Sequence, residues 1–406
     1  MNILIVSDAY PAYDRSSYEL RFSRLAHVLA QTHQLTICPQ DVPYMVNELG
    51  VEAVNRYREA LQIDGIAIQE QGLVNALRSC PYELILFVIH TQVSPQNLRQ
   101  VRHWAPSAKI VIDSVDVQFG RYLSRAELTG AKEDFEQASL IKAQELAAFN
   151  AVDMVITVSE PERQMVLREL PDKPVTIIPN IHPLEESIPT AARDGRSMVF
   201  VGWGKYDPNA DAVLYFAREI LPLVLAKIPH AIFKVIGGGY PEEVLQLNGG
   251  AIEILGFVPE TALYLKESHI SIAPLRYGSG VKGKIGEALS HGMPVVTTSV
   301  GLEGFGLTPG INVLAADTPA EFANHVVNLL TNQQLHIQIS LAGWEFLRDS
   351  FSEQAVRSRI QSVFEEIEHL PQSWLVIQGR KLRSFVSKQV ERHITWRLRR
   401  SRAKAT

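Results

Sequence analysis

Short, unbroken apolar runs alternate along this chain with longer stretches in which apolar residues recur every three or four positions. Residues 2–8 (NILIVSD) form the first run, and 35–38, 84–89, 110–112, 154–158 and 175–178 repeat it. Runs of this kind predict strands buried on both faces, as in a parallel sheet. Between them, Leu20–Leu29 and Arg121–Phe149 carry helical spacing, and 41–79 reads mostly as helix. Over 184–197, Pro189, Gly195 and scattered charges predict a linker. The pattern then restarts, with runs at 198–202, 231–239, 251–258, 270–275 and 294–298. Asp207-Pro208 predicts a capped helix with proline at its first position, and Ser352 predicts a cap for a helix over 353–367. The expected fold is α/β: two doubly wound, Rossmann-like domains, 1–183 and 198–352, then a helix at 353–370 and a tail at 371–406. Such sheets bind ligands at the carboxyl ends of their strands, so facing halves place a site in the cleft between them.

Composition narrows this reading little: 46% hydrophobic and 20% charged residues over 406 describe an ordinary globular protein with room for two cores. Two cysteines, Cys38 and Cys80, fit a reducing compartment, so a cytoplasmic location is expected. The first residues read as a strand, not a leader, and no apolar run approaches the ~20 residues that span a bilayer. Charge is more informative. Of 39 Lys/Arg residues ten lie in 371–406, against one of the 44 acids, Glu391. With Trp374, Phe385, Ile394 and Trp396 interleaved, the basic tail predicts peripheral contact with an anionic membrane surface. Nothing else supports nucleic acid as a partner.

The densest candidate chemistry lies in 272–296, IAPLRYGSGVKGKIGEALSHGMPVV, read as strand, glycine-rich turn, short helix and strand. Gly278, Gly280 and Gly283 let backbone N–H groups approach a ligand where the helix dipole favours an anion. Lys282 and Lys284 occupy the first turn, the unfavourable end for a cation, which predicts a phosphate to compensate them. Glu287, one turn on, suits a ribose hydroxyl. Gly237–Gly239 follows a strand but lacks dinucleotide spacing, and no H-E-x-x-H, Cys/His cluster or G-x-S-x-G is present.

The ordered set VITVSEPE (155–162), IIPN (177–180), FVGWGKYDPNADAV (200–213), GFVPE (256–260), the glycine–lysine turn and GLEG (301–304) resembles glycosyltransferase family 4, of GT-B architecture. The resemblance implies a retaining, metal-independent transferase with a nucleotide-diphosphate sugar on its second half. The acceptor, a glycan or a lipid-linked molecule, would lie on the first half, to which helix 353–370 returns. No cofactor or metal is implied. Glu287 matches the second glutamate of the family's E-x7-E motif, but the first is replaced by Ser279, and the common upstream arginine and lysine by Trp203 and Pro208. Phosphate neutralisation is therefore expected from Lys282 and Lys284 with help from Arg276 or Lys205, and Glu303 is expected near the donor sugar. On the first half, Asp113, Asp116 and Arg121 in DSVDVQFGR resemble an aspartate-rich family pattern. Asp116 and Arg121 are the catalytic candidates; Asp14, Ser16 and Asp113 are placed on the acceptor side. His90 reads as structural. Two other readings share the fold: a sugar-nucleotide epimerase, and an inactive sugar-nucleotide-binding protein, the latter prompted by Ser279.

Overall fold

The computed structural model describes residues 1–184, 187–188 and 193–370; the basic tail therefore lies outside the described residues. Two wholly parallel sheets organise the chain. The first orders its seven strands β3-β2-β1-β4-β5-β6-β7: β1 Asn2–Ser7, β2 Gln34–Pro39, β3 Ala67–Ile68, β4 Leu84–Val88, β5 Lys109–Asp113, β6 Met154–Thr157 and β7 Val175–Ile177. The second orders six strands β10-β9-β8-β11-β12-β13: β8 Ser197–Val201, β9 Ile232–Ile236, β10 Ile252–Gly256, β11 Ile270–Ala273, β12 Val295–Thr297 and β13 Leu314–Ala315. Each sheet changes winding direction once, between β1 and β4 and between β8 and β11, which opens a crevice at the carboxyl edge.

Central strands are buried on both faces, as their unbroken apolar runs require: Ile3, Leu4, Ile5 and Val6 of β1 are fully enclosed. The stretch 41–79 holds a two-residue strand, β3, besides its helices. Helical spacing over 121–149 resolves into two helices, Gln118–Thr129 and Lys132–Ala151, because Gly130 takes a left-handed conformation (φ 65°) that ends the first. Asp207 opens its helix without a side-chain cap, and this helix passes through a π-turn at 216–220 before Pro222.

Ser352 caps the helix Glu353–His369 by accepting from the Ala355 N–H at 3.1 Å. The apolar face of that helix, Val356, Ile360, Val363, Phe364 and Ile367, packs into the core of the first sheet with Phe22 and Leu25. Lys109 Nζ donates to the Ile367 carbonyl at 2.5 Å, neutralising the helix's negative end. The last helix thus crosses back onto the first half, and Arg193 secures the linker by donating to the carbonyls of Leu265, Ser268 and His291.

Candidate active site

The turn after β11 opens into the helix Gly283–Ser290. Gly280 (φ 69°) is required by its surroundings: a Cβ there would lie 3.0 Å from Glu162 Oε1 and 3.1 Å from Asp116 Oδ1, both from the other half. At Gly283 a Cβ would come within 2.1 Å of Ser17. The absence of side chains here lets the two halves touch.

Lys282 sits just before the helix, buried, its Nζ donating to the Gly280 carbonyl at 2.6 Å and lying 3.5 Å from Glu303. Burial lowers its pKa, while Glu303, Asp116 and Glu162 pull the other way. Lys284 donates to Asn209 Oδ1 at 2.6 Å and lies 5.0 Å from the centre of the Phe200 ring. Burial, and then the Lys282 charge, push its pKa down to about 7. Glu287 accepts from Thr261 Oγ1 at 2.5 Å, and burial raises its pKa. All three candidates of the glycine–lysine turn therefore lie along the start of one helix; neutral partners hold Lys284 and Glu287, while a carbonyl and the Glu303 carboxylate hold Lys282.

The first half meets this turn with the segment after β5. Val115 adopts φ 60°, and the Asp116 N–H donates to the Ser114 carbonyl at 2.6 Å, closing a tight three-residue turn. A β-branched residue rarely tolerates that region, and the strain is about 1–3 kcal/mol. The turn delivers Asp116 to the cleft, where Oδ1 accepts from Ser279 Oγ at 2.8 Å and Oδ2 lies 3.6 Å from Arg121. The Arg121 guanidinium stacks 5.1 Å above the Tyr206 ring of the second half. Arg125 pairs with Asp207 at 2.6 Å, and Ser124 Oγ accepts from the Gly278 N–H at 3.3 Å.

Two buried acids hold this segment from beneath. Glu162 accepts the N–H of Val117 at 3.2 Å and of Val158 at 3.1 Å; burial, reinforced by Asp116, raises its pKa to about 8. Glu145 accepts the N–H groups of Gln118 and Phe119, at 3.0 and 2.9 Å, and burial raises its pKa to about 7. Together they satisfy the start of the helix that carries Arg121.

Other candidates stand differently. Asp113 does not open on the cleft: it is fully enclosed, its Oδ2 2.5 Å from the equally buried Arg21, which also donates to the Ile178 carbonyl. A buried guanidinium demands a carboxylate, so Asp113 is unavailable to an acceptor. Ser16 is occupied as a helix cap with Glu19. Asp14 accepts from Tyr57 at 2.5 Å and from Arg56 at 2.9 Å, both within the first half. Arg276 pairs with Asp211, Nε to Oδ2 at 2.9 Å, and Lys205 lies 3.8 Å from Glu48. Neither helper contacts Lys282 or Lys284 in this arrangement. His90, nearly buried, lies 3.6 Å from Glu145. Sequence reasoning assigned no role to Glu162, Asn209 or Thr261, although the first two fall inside family-like segments; their partners are backbone groups or residues remote in sequence. Among the described residues no group of three or more His, Cys, Asp or Glu side chains is placed to hold a metal ion, and no helix is long and apolar enough to cross a membrane.

Two doubly wound sheets facing across a cleft, with the last helix returned to the first, are the GT-B fold. Residues 195–332 match the family described as "Glycosyl transferases group 1", so the second half carries a glycosyltransferase domain. Sucrose-phosphate synthase from Thermosynechococcus elongatus has a similar structure (TM-score 0.66, 16% identity, 90% of this chain and 99% of that one). So does Anabaena HepE, solved in complex with UDP and glucose (TM-score 0.62, 12% identity, 90% and 100%). In sequence, the chain is 26% identical over 179 residues to an uncharacterized 44.6 kDa protein in the cps region of Klebsiella pneumoniae. That match covers 42% of this chain and spans 45% of the relative's length.

Proposed function

We propose that the protein is a retaining, metal-independent glycosyltransferase that moves a sugar from a nucleotide-diphosphate donor to a glycan or lipid-linked acceptor. Its place would be bacterial surface polysaccharide synthesis, on the cytoplasmic side and peripheral to the membrane. The likeness to a protein of a cps region supports that setting. The observation that carries the reading is the meeting of two cations and an acid at one helix start with Asp116 from the opposite half. Departure of a nucleoside diphosphate leaves negative charge on its phosphate. The helix N-terminus, with Lys282 and Lys284 beside it, can stabilise that charge once the diphosphate takes over from their present partners. Glu287, already accepting from one hydroxyl, suits a ribose hydroxyl of the donor. Asp116 faces this turn and can steady positive charge at the anomeric carbon, or orient the acceptor hydroxyl. Contacts from Ser279 to Asp116 and from Arg125 to Asp207 bring the halves together, and closure of that kind excludes water from the transfer.

Release of nucleoside diphosphate from a panel of donors and acceptors tests the reading. Glu287→Ala and Lys284→Ala must slow transfer; rates equal to the parent's refute the site.

A further inference from the structure

The chain passes between the halves twice, and the two passages meet. Ile178 and Ile181, just after β7, still lie in the core of the first half, and Leu184 packs against the core of the second. On the way back, Phe351 belongs to the second core and Val356 to the first. At the meeting point the His182 N–H donates to the Phe351 carbonyl at 2.9 Å, and residues 182 and 352 pair as an isolated parallel bridge.

His182 is enclosed, with 2% of its surface exposed, and its ring stands edge-on to Phe351 with the centres 6.4 Å apart. Its Nε2 is buried without a hydrogen-bond partner among the described residues. Burying such an atom costs free energy, which the packing of the ring has to offset. That packing is against the helix Gly283–Ser290, which carries Lys284 and Glu287. A Cβ on Gly286 would lie 2.2 Å from His182 Nε2, 2.4 Å from Cε1 and 2.8 Å from Cδ2. Alanine is the better helix former, so glycine at 286 serves the close approach of the ring and not the helix.

Gly286 also follows Gly283 by three residues, on the same helix face. A Cβ on Gly283 would meet Ser17, which begins the first helix of the first half, at 2.1 Å. Ile285, Ala288 and Leu289 sink into the second core beside Phe351. The helix is therefore seated by Ser17 near its start and by His182 at its middle.

We propose that His182 is a positioning residue: its ring, seated on Gly286, sets where the helix of Lys284 and Glu287 stands against the first half. The proposal rests on the transferase reading and adds to it a residue that touches neither donor nor acceptor. Lys284 and Glu287 would hold the donor from within the second half, whereas transfer also needs Asp116 from the first. Loss of the ring should therefore slow transfer more than it weakens donor binding.

The full-length parent, His182→Ala, Gly286→Ala and the double variant are compared by melting, by amide hydrogen exchange over 278–290 and 114–121, and by transfer kinetics. The kinetics use the donor and acceptor that turn over in the panel above. His182→Ala leaves a void over the helix, and Gly286→Ala pushes the ring away. Each should lower kcat about ten-fold, keep the donor KM within about two-fold, and speed exchange in both segments. In the double variant the added methyl group enters the space the ring has left, and kcat should return to within about three-fold of the parent's. Two independent losses of stability would add instead. Parental kcat and exchange in His182→Ala, or a double variant no better than the worse single one, overturns the proposal. A panel without turnover refutes the transferase reading, and the exchange pattern alone then decides whether His182 seats the helix.

Discussion

Ser279 and Asp116 lie 163 residues apart and on opposite halves, yet the serine hydroxyl donates to the aspartate carboxylate at 2.8 Å. The serine stands where the motif this turn resembles has a glutamate, and here its hydroxyl meets an acid from the first half. A hydrogen bond of this kind contributes about 1 kcal/mol. Ser279→Ala should therefore lower kcat/KM about five-fold and the melting temperature slightly. Asp116→Asn keeps the shape and loses the charge, and should lower kcat about 100-fold or more. Steady-state transfer kinetics check both; an Asp116→Asn enzyme within a few-fold of the parent removes Asp116 from the chemistry.

Lys284 gives the site a pH dependence. Its pKa near 7 in the donor-free state means that it is largely neutral above that value. A bound diphosphate favours the charged form, so binding above pH 7 takes up a proton. Affinity for a nucleoside diphosphate should fall with rising pH, by up to about ten-fold per unit above 7. Titration calorimetry in buffers of different ionisation enthalpy reads the proton uptake directly. Lys284→Met should bind weakly at every pH and show no uptake; an unchanged slope in that variant places the titration elsewhere.

Asp113 and Asp116 are three residues apart and should behave oppositely. Asp113→Ala leaves Arg21 charged and enclosed, a loss of about 3–5 kcal/mol. Chemical denaturation should register that loss for Asp113→Ala and almost none for Asp116→Asn. If Asp113→Ala keeps the parent's stability, the buried pair is not what holds β5 to the helix that carries Arg21.

This contrast marks what could be read from the sequence. The strands β1, β4, β5 and β11 were legible because burial on both faces leaves an unbroken apolar run. The edge strands β3 and β13, two residues each, are too short to leave one. Lys282, Lys284 and Glu287 fall within a six-residue window, so helix geometry alone gathers them. Asp113 and Asp116 share one segment, and only the fold separates them: β5 carries Asp113 inward to Arg21, while the strained turn at Val115 carries Asp116 out. Glu162 was hidden because its partners are backbone N–H groups, which no residue pattern records.

The basic tail carries a prediction from composition and charge. Each Lys or Arg near anionic headgroups contributes about 1 kcal/mol, and ten lie in 371–406. Truncation after Leu370 should abolish co-sedimentation with vesicles containing anionic lipid and leave activity on a soluble acceptor intact. Equal sedimentation of the two forms sinks the membrane proposal.

Glu162 and Glu145 make the first half sensitive to alkali. Their folded pKa values, about 8 and about 7, lie above the ordinary 4.5, so the folded state holds more protons than the unfolded state between those limits. Stability is therefore greatest at the acidic end of that window and falls as pH rises through 7 and 8. Lys284 acts in the opposite sense, but only above its own pKa near 7. His182 and His336, whose pKa burial lowers to about 4, also act in the opposite sense between about pH 4 and 6.5, so the glutamate's share is read from the difference between parent and variant. Glu162→Gln cannot ionise and should gain stability relative to the parent as pH rises from 5 to 8. It also turns an amide N–H towards one of the two backbone donors, Val117 or Val158, at a cost of about 1–3 kcal/mol. Melting curves of parent and variant across pH 5–8 decide the matter: a variant with the parent's slope removes Glu162 as a titrating group.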